Sequence, residues 1–288
     1  VFSTSQLDAY LERIGLARPK RLTADALARI HRAHIDTVPY ENLEIQLGRP
    51  IRLEKGALFE KIVAGRRGGF CYEQNHTLAL ALEAVGFEVR RVLGGVARAV
   101  EGDGNWFNHL PLIVRAGRGE YLVDAGLGVG FRDPLPLREG SHRVGAFNFG
   151  LWRIDDDAGL WRCSIDPRVQ DLSFDFETSA RSVEEFAPKC RELSTSPDSP
   201  FVKTLTVQRP GSAATTVLRA RTLTVFDPTL PEGKSVHLVE DHGEFAELLG
   251  GRFGLALSEE DMEVLWERAC EQHERRLAED AEKAPSAS

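Results

Sequence analysis

The spacing of apolar residues changes at Gly86, and that change constrains the fold of this 288-residue chain more than any other feature. Ahead of it the pattern is helical. Leu7, Leu11 and Ile14 recur at helical intervals, Thr23 stands as a cap before Leu27, Ile30 and His34, and Leu58, Phe59, Ile62 and Val63 form another stripe. Residues 71–85, CYEQNHTLALALEAV, favour helix until Gly86 stops it. Beyond that glycine the runs are short and strand-like: 88–100, 109–115 (HLPLIVR), 120–124 (EYLVD), and 151–154 and 160–163 across a polar turn. After a polar, proline-containing connection at 191–200, residues 201–207 and 215–226 read as further strands. Residues 245–249 and the stretch from Glu259 onward read as helices, with Ser258 and Asp261 as a capping pair. The pattern predicts an α+β multidomain protein: a helical segment 1–85, a strand-rich segment 86–200 and a mixed segment 201–288.

Charge and cysteine content narrow the function. Against 36 Lys and Arg stand 44 Asp and Glu, a net charge of −8 that gives no general attraction for nucleic acid or an anionic membrane. No apolar stretch approaches the ~18 residues of a membrane span, and the first residues lack a signal-peptide pattern, so a cytoplasmic location is expected. Cys71, Cys163, Cys190 and Cys270 are too sparse for a disulfide scaffold, and no CxxC pair offers a metal site.

Among the cysteines, Cys71 lies in RRGGFCYEQN, residues 66–75, between a glycine pair and the start of a helical run. There, free amides and the positive helix end favour a thiolate. A thiol becomes a useful nucleophile when a histidine takes its proton and a carboxylate holds that histidine. His109 opens a strand-like run, and Asp124 ends the next one, so neighbouring antiparallel strands can bring the two together. His34 and His76 lie inside helical patterns, His242 and His273 sit in polar surroundings, and His142 and His237 remain open. The plainer readings stand beside these: a buried inert thiol, a structural histidine and a turn-forming aspartate. Arg66 and Arg67 read as structural partners for Glu41 or Glu73.

Taken together, these segments resemble the arylamine N-acetyltransferase family. RRGGFCYEQN is similar to its active-site signature. Val38 to Leu43 resembles the segment before the nucleophile, with Tyr40 where phenylalanine is commoner. Asn108-His109 resembles the histidine segment, and Tyr121 to Gly128 the aspartate segment, with Leu127 where an aromatic is frequent. Ser199-Pro200-Phe201 resembles the entry to a third domain. The resemblance implies a helical bundle, a strand-rich barrel-like domain and an α/β lid around a cysteine-protease-like catalytic core. It implies Cys71, His109 and Asp124 as a triad, and transfer of acetyl from acetyl-coenzyme A, through an acetyl-cysteine, to arylamines, arylhydrazines or hydrazides. Gly126, Gly128, Ser194, Thr195 and Ser196 are the implied coenzyme A contacts, and Tyr40, Phe70 and Phe201 the implied acceptor lining. No metal, tightly bound cofactor, nucleic acid or membrane is implied, and a homo-oligomer is left open. Rival readings are a cysteine hydrolase or transglutaminase-like enzyme, and a non-catalytic binding scaffold that keeps the triad.

Overall fold

The computed structural model describes residues 1–283. Its first unit is a bundle of the helices Thr4–Arg13, Ala24–Thr37 and Cys71–Val85. Local chemistry fixes their ends. Ser3 and Gln6 form a reciprocal capping box, the Thr23 hydroxyl accepts from the Ala26 amide, and Gly86 ends the third helix in a left-handed conformation at φ 117°. The Cys71–Val85 helix is buried on nearly every side and forms the axis of the bundle. Four of its buried polar residues each fasten a different part of the chain. The Glu73 carboxylate accepts from Lys61, Gln74 links His34 to the Pro39 carbonyl, Asn75 reaches Asp124, and His76 accepts from Arg91.

Among the described residues thirteen strands lie in two antiparallel sheets: β1 (Tyr40–Glu41), β2 (Glu88–Val96), β3 (Leu112–Ala116), β4 (Gly119–Val123), β5 (Leu135–Pro136), β6 (Gly140–Val144), β7 (Phe147–Asp155), β8 (Leu160–Ser164), β9 (Ser173–Ala180), β10 (Thr206–Pro210), β11 (Thr215–Arg219), β12 (Thr222–Phe226) and β13 (Lys234–Leu238). The larger sheet runs β5-β4-β3-β2-β9-β8-β7-β6. Its two edge strands are joined by residues 137–139 alone, so they stand no farther apart than roughly 14 Å at the full reach of the chain, and the sheet is a nearly closed barrel. Phe131, Phe149, Leu151, Phe174 and Phe176 fill it.

The smaller sheet runs β1-β10-β11-β12-β13, and the Glu259–Lys283 helix covers it through Met262, Leu265 and Ala269. The Asp261 amide donates to the Ser258 hydroxyl at 3.1 Å, which caps that helix. Two segments depart from the sequence expectation. Residues 201–207 begin as the helix Pro200–Lys203 because Ser199 caps it and Pro200 takes its first position, so the strand starts only at Thr206. Contacts also cross the expected divisions at 85 and 200. Strand β1, from the helical segment, pairs with β10, and the Ala187–Thr195 helix buries Cys190 in the bundle core. Three packed units therefore meet where the Cys71 helix begins.

Candidate active site

Phe70 precedes the first turn of the Cys71–Val85 helix and has no side-chain acceptor with which to cap it. Only the reverse half of a capping box forms, the Phe70 amide donating to Glu73 Oε2 at 3.2 Å. The first-turn amides thus receive no side-chain cap, and Cys71 lies among them, 3 % exposed. The glycine pair is required by close packing. A Cβ at Gly68 would lie 2.1 Å from the Pro39 carbonyl oxygen, and the Gly69 carbonyl accepts from the Glu41 amide at 3.0 Å. The Gly68 amide donates to Glu41 Oε1, whose carboxylate also takes Arg67 at 3.7 Å, while Glu73 pairs with Lys61 at 2.8 Å. Arg67 therefore meets one of its expected partners, Glu41, and adds Glu44 at 2.9 Å.

His109 and Asp124 are buried, at 1 % exposure each. His109 Nε2–H donates to Asp124 Oδ2 at 2.6 Å, which leaves Nδ1 as the ring nitrogen free to exchange a proton. Phe174 packs edge-on against the imidazole, with ring centroids 5.1 Å apart. Just upstream, the Asn108 side chain clamps both backbone groups of Val96, and Phe107 takes φ 67° while its carbonyl accepts from the Tyr72 hydroxyl. Such a conformation costs ~1–3 kcal/mol in a bulky residue, and the clamp sustains it. Asp124 Oδ1 accepts from Asn75 Nδ2 and from the Gly126 amide, both at 2.8 Å, and Asn75 Oδ1 in turn accepts from the Ala125 amide. Burial pushes this carboxyl up, but the His109 charge and these hydrogen bonds hold it below the usual carboxylate range. It is an ionised partner for His109.

Burial also pushes the Cys71 thiol well up, with Cys190 and Asp124 adding to the rise and the Tyr72 amide opposing it. An isolated thiolate is unfavourable there. The thiol donates to the carbonyl of Asn108, the residue before His109, at 3.6 Å.

Cys71 and His109 open into one cavity of about 620 Å³, also lined by Tyr40, Gly126, Ser196 and Phe201. A Cβ at Gly126 would lie 2.8 Å from Cys71 Cα, so glycine lets the loop after the aspartate reach Cys71. Other expected contacts are placed elsewhere. Phe70 is fully buried behind Phe201, with ring centroids 5.5 Å apart, because the helix start turns it into the bundle core. The Ser194 and Thr195 hydroxyls donate to the Arg191 carbonyl within their own helix, and Gly128 packs against Gln208. Asn75 was missed by the sequence reading. Its signal was spacing: it stands four residues after Cys71, on the same face of the helix.

An N-acetyltransferase family model matches residues 23–262. The arylamine N-acetyltransferase of Mycolicibacterium smegmatis is 34% identical over 261 residues, covering 88% of this chain and 93% of that protein. This chain belongs to the arylamine N-acetyltransferase family. Human arylamine N-acetyltransferase 1 is 30% identical over 218 residues, covering 68% of this chain and 74% of that protein. Among solved structures, that of the M. smegmatis enzyme superposes with a TM-score of 0.81 at 31% identity, over 92% of this chain and 97% of that one. The Mycobacterium marinum enzyme in complex with CoA superposes with a TM-score of 0.79 at 29% identity, over 91% and 98% of the two chains. The family match spans all three packed units of the fold, and with them every element that positions Cys71, His109 and Asp124. Among the described residues no three His, Cys, Asp or Glu side chains are grouped to hold a metal, and no helix is long and apolar enough to cross a membrane.

Proposed function

We propose that this member of the family transfers acetyl from acetyl-coenzyme A to the nitrogen of arylamines, arylhydrazines or hydrazides, with Cys71 as the carrier. The observation that carries the reading is the buried His109–Asp124 pair, opening with Cys71 into one cavity at the uncapped start of a helix.

In the first step the Cys71 sulfur bonds to the thioester carbonyl carbon as its proton passes to His109 Nδ1. The bond to the coenzyme A sulfur breaks, and that thiolate leaves with the proton from His109. In the second step the acceptor nitrogen bonds to the acetyl carbon, its proton goes to His109, and the carbon–sulfur bond to Cys71 breaks. Both steps build negative charge on the carbonyl oxygen, and first-turn amides at Cys71 are suited to meet it. Asp124 keeps the proton on Nε2 of the neutral ring and balances the imidazolium. We assign Gly126 and Ser196 to the donor and Tyr40 and Phe201 to an aromatic acceptor; all four line the cavity that contains Cys71.

Intact mass spectrometry after mixing with acetyl-coenzyme A tests this directly. One acetyl group should appear on the protein, vanish on adding an arylamine, and be absent from Cys71→Ala. An acetyl-enzyme that discharges to water at the same rate with and without amine would favour the hydrolase reading instead.

A further inference from the structure

The smaller sheet has one open edge. At its other end β1 is bridged by Gly69, whose carbonyl accepts from the Glu41 amide at 3.0 Å, while the edge strands of the larger sheet face each other across the nearly closed barrel. Strand β13, last in the order β1-β10-β11-β12-β13, has no neighbour beyond it among the described residues. All five of its residues, Lys234 to Leu238, are exposed, Val236 at 61 % and Leu238 at 43 %.

The hydrogen-bond phase of this edge follows from its flanks. The Val239 amide donates to the Arg221 carbonyl at 2.8 Å, and the Asp227 amide donates to the Gly233 carbonyl at 2.9 Å. Bonded pairs alternate along an antiparallel ladder, so the odd-numbered residues turn their N–H and C=O groups to β12. Those of Lys234, Val236 and Leu238 point away from the sheet, a row of polar backbone groups that only water or another strand can meet. Folded chains ordinarily blunt such an edge with a proline, a bulge or a covering segment. Strand β13 has none of these: its register with β12 runs unbroken from Lys234 opposite Phe226 to Leu238 opposite Thr222.

We propose that β13 is the interface for a second copy of this chain, the two strands pairing antiparallel about a two-fold axis at His237. Two identical strands that pair antiparallel are related by such an axis, and the outward backbone groups of one must face those of the other. In this register Val236 lies opposite Leu238 of the second copy, and Lys234 opposite Glu240, each contact made twice. Lys234 and Glu240 are both exposed, and neither side chain has an ion pair within its own chain among the described residues. Two opposite charges left free in one copy are thus matched across the pair, beside an apolar contact. The Glu240 amide is taken by Glu244 Oε2 at 2.9 Å, so the shared ladder ends there. His237 meets its own equivalent on the opposite face, where each ring pairs with Glu244 of its own chain. None of these residues lines the cavity that contains Cys71, so the pairing can be altered without touching the chemistry.

Sedimentation velocity of the full chain, from about 1 to about 300 μM, tests the pairing. The mass should rise with concentration from 31.9 kDa toward twice that value. Lys234→Glu sets a glutamate opposite Glu240 at both contacts and should weaken the dimer by about tenfold. The double variant Lys234→Glu/Glu240→Lys should restore it. Val236→Pro removes an outward N–H and no bond to β12, and should leave the chain monomeric. Hydrogen exchange at the Val236 and Leu238 amides should slow as the concentration rises. A chain that stays monomeric throughout overturns the proposal. So does a dimer that Lys234→Glu leaves intact, that the double variant fails to restore, or that leaves both amides unprotected, since the contact would then lie on another surface or in another register.

Discussion

Cys71 depends on its neighbours for its acidity. Its thiol, taken alone, is pushed up by burial, so in the proposed mechanism the proton stays nearby on His109 and Asp124 holds the resulting charge. Asp124→Asn tests this at the scale of one atom. An amide can donate to Nε2, which would invert the imidazole tautomer and leave Nδ1 protonated. The expected loss is about 10³–10⁴-fold in kcat, read as release of coenzyme A thiol under saturating acetyl-coenzyme A. A loss under about tenfold would mean that Asp124 does not set the tautomer. Cys71 and its glycine pair could be picked out from residue order alone. Asn75 carries only the signal of its spacing from Cys71, and its role appears once the aspartate it serves is placed beside it.

At the scale of elements, the Cys71–Val85 helix holds the site by polar contacts made along a buried surface. His34, on the Ala24–Thr37 helix, is one of them: the Tyr10 hydroxyl lies 2.8 Å from Nδ1, and Nε2 lies 2.7 Å from Gln74 Oε1. Burial lowers its pKa from 6.5 to about 3. The unfolded chain therefore binds a proton at His34 between those two values while the folded chain does not, so stability falls as the pH drops through that window. His76, also lowered to about 3, acts in the same direction. Urea unfolding from pH 7 to pH 4 should show the midpoint falling steadily from about pH 6.5. His34→Gln, which keeps one donor and one acceptor but cannot titrate, should flatten that fall. An equal slope in the variant would remove His34 from the account. The long helix at 71–85 is evident from its alanines and leucines, whereas its full burial comes from having bundle, barrel and lid against it at once.

Across the whole molecule, Asn42 joins the bundle to the lid. Its side-chain amide donates to the Phe201 and Thr204 carbonyls at 2.8 Å, and its carbonyl accepts from the Thr206 amide at 2.8 Å. Gln46 donates to the Phe201 carbonyl and accepts from Gln272 on the last helix, which extends the junction across the lid. Asn42→Ala removes three hydrogen bonds from the junction, and the Phe201 carbonyl alone keeps another side-chain amide partner, Gln46. It should cost about 2–4 kcal/mol in urea unfolding. Because Phe201 and the β1–β10 pairing shape the cavity, the acceptor KM should rise more than kcat falls. Wild-type stability with an unchanged KM would show that the lid is held by its apolar contacts alone.

Local rules determined what can be read along the chain. Caps at Ser3, Thr23 and Ser258, the glycine stop at Gly86 and the change of apolar period fix most element types, because each depends on residues a few positions apart. The order of Cys71, His109 and Asp124 with their flanking residues carried the family. Tertiary structure decided which side chains share the cavity. Strand register puts Tyr40, Gln208, Thr206 and Arg219 in one row, a helix start turns Phe70 inward, and internal hydrogen bonds hold Ser194 and Thr195 to their own helix. These placements arise from contacts between residues as far apart as 40 and 208, where no local periodicity reaches.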